Sequence, residues 1–314
     1  MLSTRDLTIQ QLRCFVAVAV EQQFTAAADS LRLAQPSISA QIHRLEKVLG
    51  TPLFHRGHRP VMLTDAGLEL LPLARHVLSS LDDVVHGVSD VEGLRRGHVT
   101  IGATPSLGAT LLPTVLALFH QRYPGISLTF IERDSVVLVD ELETGALDLA
   151  LVIMPLPRPT LKDVVLATEQ LVVMVAKDHP LADRERISIA DLRDVPMIMF
   201  REGYDLRSAT LDAFHNAGIP ATVALDGAEM GSIRAFVAAG LGAAIVPSIV
   251  AADSHQLRIL HLEPATLERK IRLVRPLQHR SSRAATALSQ EITSYLAKNG
   301  WPSNASVDLK LAHD

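Results

Sequence analysis

The chain has 314 residues, 48% hydrophobic and 20% charged, which excludes a disordered chain and leaves room for two or three domains with their own cores. Aromatic residues make up only 4%, so those cores must be aliphatic. The formal net charge of −4 argues against nucleic acid for the chain as a whole, and the single cysteine, Cys14, excludes an intrachain disulfide framework and any cysteine-cluster metal site.

No apolar run reaches membrane-spanning length, and the start, MLSTRDLTIQQL, lacks a signal-peptide core. A soluble cytoplasmic protein is therefore expected. The charge is unevenly spread: residues 1–65 carry +2 and the remainder −6. A small basic module on an acidic body suggests a polyanion partner for the module alone.

The first 65 residues read as three short helices and a hairpin. Ile9, Leu12, Phe15, Val16 and Ala19 make an apolar stripe, and Cys14 lies on the same helix as a small packing residue. Thr25 is a good N-cap for a second helix over Ala26–Leu31. After the turn Arg32-Leu33-Ala34, Ile38, Ile42, Leu45 and Leu49 recur at helical spacing until Gly50 ends the helix. PLFH (52–55) and VMLT (61–64) can then pair as strands around a basic tip, Arg56-Gly57-His58-Arg59-Pro60.

Thr64-Asp65 opens a helix predicted over 66–92. Leu70, Val77, Val84 and Val91 form one seven-residue series, and Ala74, Leu81 and Val88 form a second, offset by four. That is a coiled-coil seam for pairing two chains, with Pro72 expected to kink or restart the helix.

From Arg95 onward short apolar strands alternate with amphipathic helices. The strands are HVTIGA (98–103), ISLTFIE (126–132), LDLALVIM (147–154), LVVMVA (171–176), PMIMF (196–200), TVALD (222–226), AAIVP (243–247), LRILHL (257–262) and KIRLVRP (270–276). Helices are expected over 109–122, 136–144, 206–216, 229–239 and 282–298. Such alternation predicts α/β units with mostly parallel sheets. The break Pro155-Leu156-Pro157-Arg158-Pro159 favours two lobes.

The helix beginning at Gln35 packs its Ile/Leu face inward. Gln35, Ser39, Ala40 and His43 then look outward, with Arg44 and Lys47 further along. In a helix-turn-helix the start of the second helix enters the major groove. Gln suits bidentate contact with adenine and Ser serves several bases, while Arg56 and Arg59 on the wing can hold phosphates. The DNA-contacting set is thus Thr25, Gln35, Pro36, Ser37, Ser39, Gln41, His43, Arg44, Arg56 and Arg59.

FTAAADSLRLAQPSISAQIHRLEKVLGTPLFHRGHRPVMLTDAG, residues 24–67, carries a dense set of motifs. These are Phe-Thr-x-Ala-Ala, a Gln-Pro step with Ser three residues after the Pro, Gln-Ile-x-x-Leu-Glu, Leu-Gly-x-x-Leu-Phe-x-Arg and Leu-Thr-x-Ala-Gly. With that spacing the segment resembles the DNA-binding region of LysR-type transcriptional regulators. Ala40 stands where the family usually carries Arg, and Gln22-Gln23 replaces a common Gly-Ser; both bear on the DNA sequence preferred. LLPLAR (70–75), GHVTIGATPSLGATLLP, GALDLALV, LVVMVAKDHPLA and VAAGLGAAIVP extend the resemblance to the family's linker helix and effector domain.

The resemblance implies an all-α winged helix-turn-helix over 1–65, a dimerising linker over 66–94, an α/β effector domain over 95–300 and a loose tail over 301–314. The effector domain would consist of two Rossmann-like lobes of periplasmic-binding-protein type, lobe I at 95–168 and 273–300 and lobe II at 169–272. A cleft between them would bind a small-molecule effector. Thr104, Ser106, Ser135, Arg201, Gly203, Tyr204 and Pro247 fall at strand ends facing that cleft, where α/β sheets bind ligands. The helix start after Thr104 favours negative charge, so a small anionic metabolite is expected. One family branch senses peroxide through a cysteine; Asp205 stands about where that thiol would be, and Cys14 alone cannot form an intrachain disulfide.

No His-Glu-x-x-His, Walker loop or Gly-x-Ser-x-Gly elbow occurs, the histidines lack ligand spacing, and Gly240-Leu241-Gly242 precedes a strand rather than following one. Neither an enzyme, a cofactor nor a metal is therefore expected. A solute-binding protein without a regulatory role is the alternative; it would need no helix-turn-helix. The expected partners are double-stranded DNA at a promoter operator, the effector, further copies as homodimer or homotetramer, and RNA polymerase, with no membrane. Paired recognition helices would read half-sites about 34 Å apart.

Overall fold

The computed structural model describes residues 7–55, 60–87, 97–153, 158–251, 256–264, 267–277 and 282–301. The N-terminal module is built from α1 (Ile9–Glu21), α2 (Phe24–Leu31) and α3 (Gln35–Leu49), followed by α4 (Asp65–Gly87). Thr8 caps α1 through a reciprocal pair with Gln11, which satisfies two amides that lack intrahelical partners. Leu12, Cys14, Phe15, Val18, Ile38, Ile42 and Leu45 close one small core under Leu53 and Phe54. Ile9, expected in that stripe, is 46% exposed because the buried face runs through Cys14 and Val18 instead. Helix α2 starts earlier than expected: Gln23 is its N-cap and Thr25 lies inside the first turn, exposed. Phe24, packed edge-on against Phe54 at 6.0 Å, draws the two extra residues in.

The expected hairpin shrinks to a single antiparallel bridge, Phe54 to Leu63, flanked by His55 N–H to Met62 O at 2.9 Å. Its tip, with Arg56 and Arg59, lies outside the described residues. Gly67 is required where α4 leaves the wing: a Cβ there would sit 2.3 Å from the Leu53 carbonyl oxygen.

Helix α4 runs through Pro72 without a restart. The expected seam is divided. Ala74 is 1% exposed and, with Leu71, belongs to the module's own core, because α4 packs along α1. Leu73 and Val77 remain exposed, 55% and 43%, with Leu70 and Leu81 half-buried beside them. Leu70 packs against the module's core, so the free surface centres on Leu73 and Val77, with Leu73 in the place expected of Ala74. Val88 and Val91 lie outside the described residues.

The α/β body centres on an eight-stranded sheet ordered β2-β1-β3-β10-β4-β9-β5, with β8 joined to β4. The strands are β1 (Gly97–Ala103), β2 (Ile126–Glu132), β3 (Leu149–Val152), β4 (Leu161–Ala176), β5 (Arg186–Ile187), β8 (Ala244–Pro247), β9 (Leu257–Leu262) and β10 (Glu268–Pro276); β6 (Pro196–Phe200) and β7 (Thr222–Ala228) pair separately. The sheet is mixed, not mostly parallel. Strand β10 runs antiparallel to both β3 and β4, and β4 antiparallel to β8 and β9. The reason is topological: β4 carries the chain from one end of the body to the other, and β10 carries it back. At the first end α5 (Pro105–Ala109), α6 (Leu111–Arg122), α7 (Ser135–Glu143) and α11 (Arg283–Asn299) flank β1–β3. At the second, α8 (Asp205–Asn216), α9 (Met230–Ala238) and α10 (Ser248–Ala251) flank β6–β8. One aliphatic core runs through both. Trp301, assigned from sequence to a loose tail, is 6% exposed and joins that core. Arg75 of α4 reaches the body, donating to the Thr144 carbonyl at 3.2 Å and its hydroxyl at 3.3 Å.

Gly67→Ala should destabilise the N-terminal module by about 1–3 kcal/mol, since the neighbouring atom is backbone and cannot step aside. Thermal unfolding of the variant against wild type measures it; an unchanged Tm refutes the close approach.

Candidate nucleic-acid interface and effector cleft

Helix α3 presents Gln35, Pro36, Ser37, His43 and Arg44 to solvent while Ile38, Ile42 and Leu45 are buried. Pro36 sits in the first turn, where no intrahelical amide donor is lost. Gln35 Nε2 donates to Ser39 Oγ at 2.9 Å, so the two polar groups of the first turn are pre-oriented together. Gln41 is half-buried, turned partly away from this face. Thr25, Gln35, Ser39 and His43 line one concavity of about 1200 Å³, with Gln22, Gln23, His55 and Pro60 opposite. Glu46, the one acid on α3, accepts the Leu53 amide at 2.8 Å, which commits part of its charge to the fold. The exposed first turn therefore carries hydrogen-bonding groups and no carboxylate.

In the body, the strand-end residues resolve into two networks. The first lies on the crossing strands. Glu169 of β4 and Arg269 of β10 are register partners and nearly fully buried. Arg269 Nε and Nη2 reach Glu169 Oε2 at 2.8 and 2.7 Å, and its Nη1 donates to Ser106 Oγ at 2.9 Å. The other Glu169 oxygen accepts from Ser248 Oγ at 3.0 Å and the Ile249 amide at 2.6 Å. Ser106, expected to face a ligand, is thus bound to the buried pair, and Pro247 is buried beside the same network, paired with Leu171.

The second network joins the N-terminus of α7 to that of α8. Ser135 Oγ donates to Asp205 Oδ2 at 3.1 Å and accepts the Ile153 amide at 3.2 Å. Arg201 contacts Asp134 through Nη1 at 3.2 Å and Nη2 at 3.3 Å, and Glu229 through Nε at 3.0 Å. Gly203 adopts φ +85° in the loop between, where an added Cβ would lie 3.6 Å from both Arg201 Nη1 and Asp134 Oδ2. Tyr204 stacks on Phe200 at 5.1 Å and under the Arg201 guanidinium at 4.6 Å. Its hydroxyl and that of Thr104 are buried without a hydrogen-bond partner. Burial drives the Tyr204 phenol well above its ordinary range, and the Glu229 charge adds to it.

Asp134, Asp205, Glu169 and Arg269 had no separate signal in the sequence for this role. The Glu169–Arg269 partners are separated by 100 positions, and both lie among other polar residues that hide them.

Burial raises the Asp205 carboxyl above its usual range, helped by Asp134 and opposed by Ser135 and Arg269. The native state holds this proton to higher pH than the unfolded chain does. Stability therefore falls as pH rises above the ordinary carboxylate value of 3.8. Asp205→Asn should abolish that decline, so that urea denaturation finds the variant closest to wild type near about pH 4 and relatively more stable near about pH 7. A constant difference between the two pH values refutes it. Glu169→Gln leaves a buried guanidinium uncompensated and should cost about 3–5 kcal/mol in the same assay.

Residues 9–68 match the family model for the bacterial regulatory helix-turn-helix protein of the lysR family, and residues 92–297 match the LysR substrate binding domain. The HTH-type transcriptional regulator YybE of Bacillus subtilis is 35% identical over 251 residues, covering 79% of this chain and 85% of that one. A hydrogen peroxide-inducible genes activator of Dickeya chrysanthemi is 32% identical over 243 residues, 77% of this chain and 80% of its own. A full-length OxyR variant from Pseudomonas aeruginosa superposes with a TM-score of 0.73 at 25% identity, covering 92% of this chain and 94% of that one. CbnR bound to its target DNA shares the fold, with a TM-score of 0.62 at 23% identity over 92% of this chain and 99% of its own. Together the two family models match residues 9–68 and 92–297, most of the chain: the chain belongs to the LysR family of DNA-binding transcriptional regulators.

Proposed function

We propose that this regulator reads an operator through the first turn of α3 and is switched by a small molecule held between the two ends of its α/β body. The observation that carries the reading is the α3 surface. Gln35, Ser39 and His43 are aligned on one face over an apolar core, with Ser37 exposed to the side of that face and the helix's acid engaged in a fold contact. Such a face offers base-edge contacts without repelling phosphate.

The exposed Leu73 and Val77, with half-buried Leu81 beside them, are the face through which two copies would pair, placing two recognition helices on one dyad-symmetric site. Arg75, pinned to Thr144, ties this helix to the body, so rearrangement of the body reaches the DNA-reading end through a packed contact. An effector acts by differential affinity for two arrangements. The solute-binding alternative gives no role to α3 or to this free face. Among the described residues no helix is long and apolar enough to cross a membrane.

A gel shift on the DNA upstream of the protein's own gene tests the reading. Sequence-preferring binding that weakens steeply with salt is expected. Gln35→Ala should cost about 1–3 kcal/mol at the preferred site and much less on random competitor. Equal loss on both kinds of DNA assigns Gln35 to the backbone, and absence of any preferred sequence sinks the reading.

A further inference from the structure

The turn between α1 and α2 breaks two local preferences in succession. Gln22 ends α1 in the left-handed region, at φ +52°. Glycine adopts that conformation without strain, and a side chain there is disfavoured. Gln23 then stands at the N-cap of α2, a position that favours a short oxygen-bearing side chain, and makes no capping bond. Gly at the first position and Ser at the second would satisfy both preferences.

The backbone of this turn is fully used by the fold. The Gln22 amide donates to the Val18 carbonyl at 2.9 Å, and the Gln22 carbonyl accepts from the Val61 amide at the root of the wing at 2.8 Å. The Gln23 carbonyl accepts the Ala27 amide at 3.0 Å, which opens α2. The side chains take no part. Both are exposed, and among the described residues neither carboxamide makes a hydrogen bond. Both line the same concavity of about 1200 Å³ as Gln35, Ser39 and His43 of α3. A residue held in a sparsely populated backbone region, with a side chain the fold does not use, marks a functional position.

We propose that Gln22 and Gln23 form a second DNA contact, donating carboxamide N–H groups to the phosphate backbone that borders the groove read by α3. This inference rests on the operator-reading face assigned to α3 above. In helix-turn-helix docking the second helix enters the groove while the preceding one crosses the backbone, and α2 is that preceding helix. A primary carboxamide carries two N–H donors and no charge. The described residues lining the concavity include the carboxylates Glu21 and Glu46 and no Lys or Arg, so neutral donors are what this wall offers a phosphate. The turn is pinned to both α1 and the wing, so the backbone carrying those donors is fixed before DNA arrives, which lowers the ordering cost of binding.

Two variants of the full-length protein separate the contact from the fold. Gln22→Gly removes one carboxamide and relieves the left-handed strain. Gln23→Glu keeps the shape and places a negative charge at the favourable end of α2, but against the phosphate. Each should leave Tm unchanged or higher, and each should weaken DNA binding in gel shifts by about three- to tenfold. The loss should be equal on the DNA upstream of the protein's own gene and on a random duplex of the same length, because phosphates carry no sequence. The salt dependence of Gln22→Gly should run parallel to that of wild type, since a neutral side chain releases no counterions. Undiminished binding by both variants overturns the contact, as does weaker binding accompanied by a lower Tm. Loss confined to the preferred sequence overturns the phosphate assignment and gives the turn to base edges. Gln35→Ala in the same assay separates the two readings. Weakened Gln35→Ala beside undiminished turn variants overturns this contact alone. Weakened turn variants beside an undiminished Gln35→Ala uphold the contact and overturn the reading of α3.

Discussion

Glu169 and Arg269 face each other across the two strands that join the ends of the α/β body, and almost everything in the crevice depends on them. Glu169 is fully buried and Arg269 is only 7% exposed. Such a pair is costly in an apolar core unless its donors and acceptors are met in fixed geometry, and here Arg269 Nη2 rests on the ion pair with Glu169 while the other polar atoms find hydrogen bonds. The satisfied partners are Ser106 at the start of α5 and Ser248 and the Ile249 amide at the start of α10. The pair therefore does more than survive burial: it sets the position of helix starts from both ends of the body relative to the crossing strands. Ser106 is a positioning residue in this arrangement, with its hydroxyl directed to the guanidinium.

The second inter-end network has the opposite character. Buried Ser135 bonds Asp205 at the start of α8, and Arg201 holds Asp134 through both terminal nitrogens in a partly solvent-exposed pair. A partly exposed ion pair such as Arg201–Asp134 contributes little stability, about 0–1 kcal/mol. Asp205 is held against its own preference by burial, and Tyr204 and Thr104 leave hydroxyls unmet. Local discontent of this sort is what a binding site retains at some cost in stability.

At the DNA-reading end the division of labour is sharper. Helix α4 uses Leu71 and Ala74 to complete the core under α1 and keeps Leu73 and Val77 free. One helix thus serves its own module and offers a face to a second copy, and its Arg75 contact makes it continuous with the body.

The amino-acid sequence by itself determined the elements that depend on short-range patterns. The apolar periodicity of Ile38, Ile42 and Leu45 and the αL stop at Gly50 define α3, and the outward Gln35 and Ser39 follow from that register. The alternation of apolar strands with amphipathic helices likewise announced the α/β body, because burial periodicity is written locally. The start of α2 is set by a tertiary contact, Phe24 on Phe54, which outweighs the capping preference of Thr25. Only the tertiary structure decided which member of a heptad series turns inward, as Ala74 shows against Leu73. It alone brought together Glu169 with Arg269 and Ser135 with Asp205, pairs separated by 100 and 70 positions. No local pattern encodes a pairing across such a distance. It follows from strand register and chain return, and those are settled by the packing of the whole core.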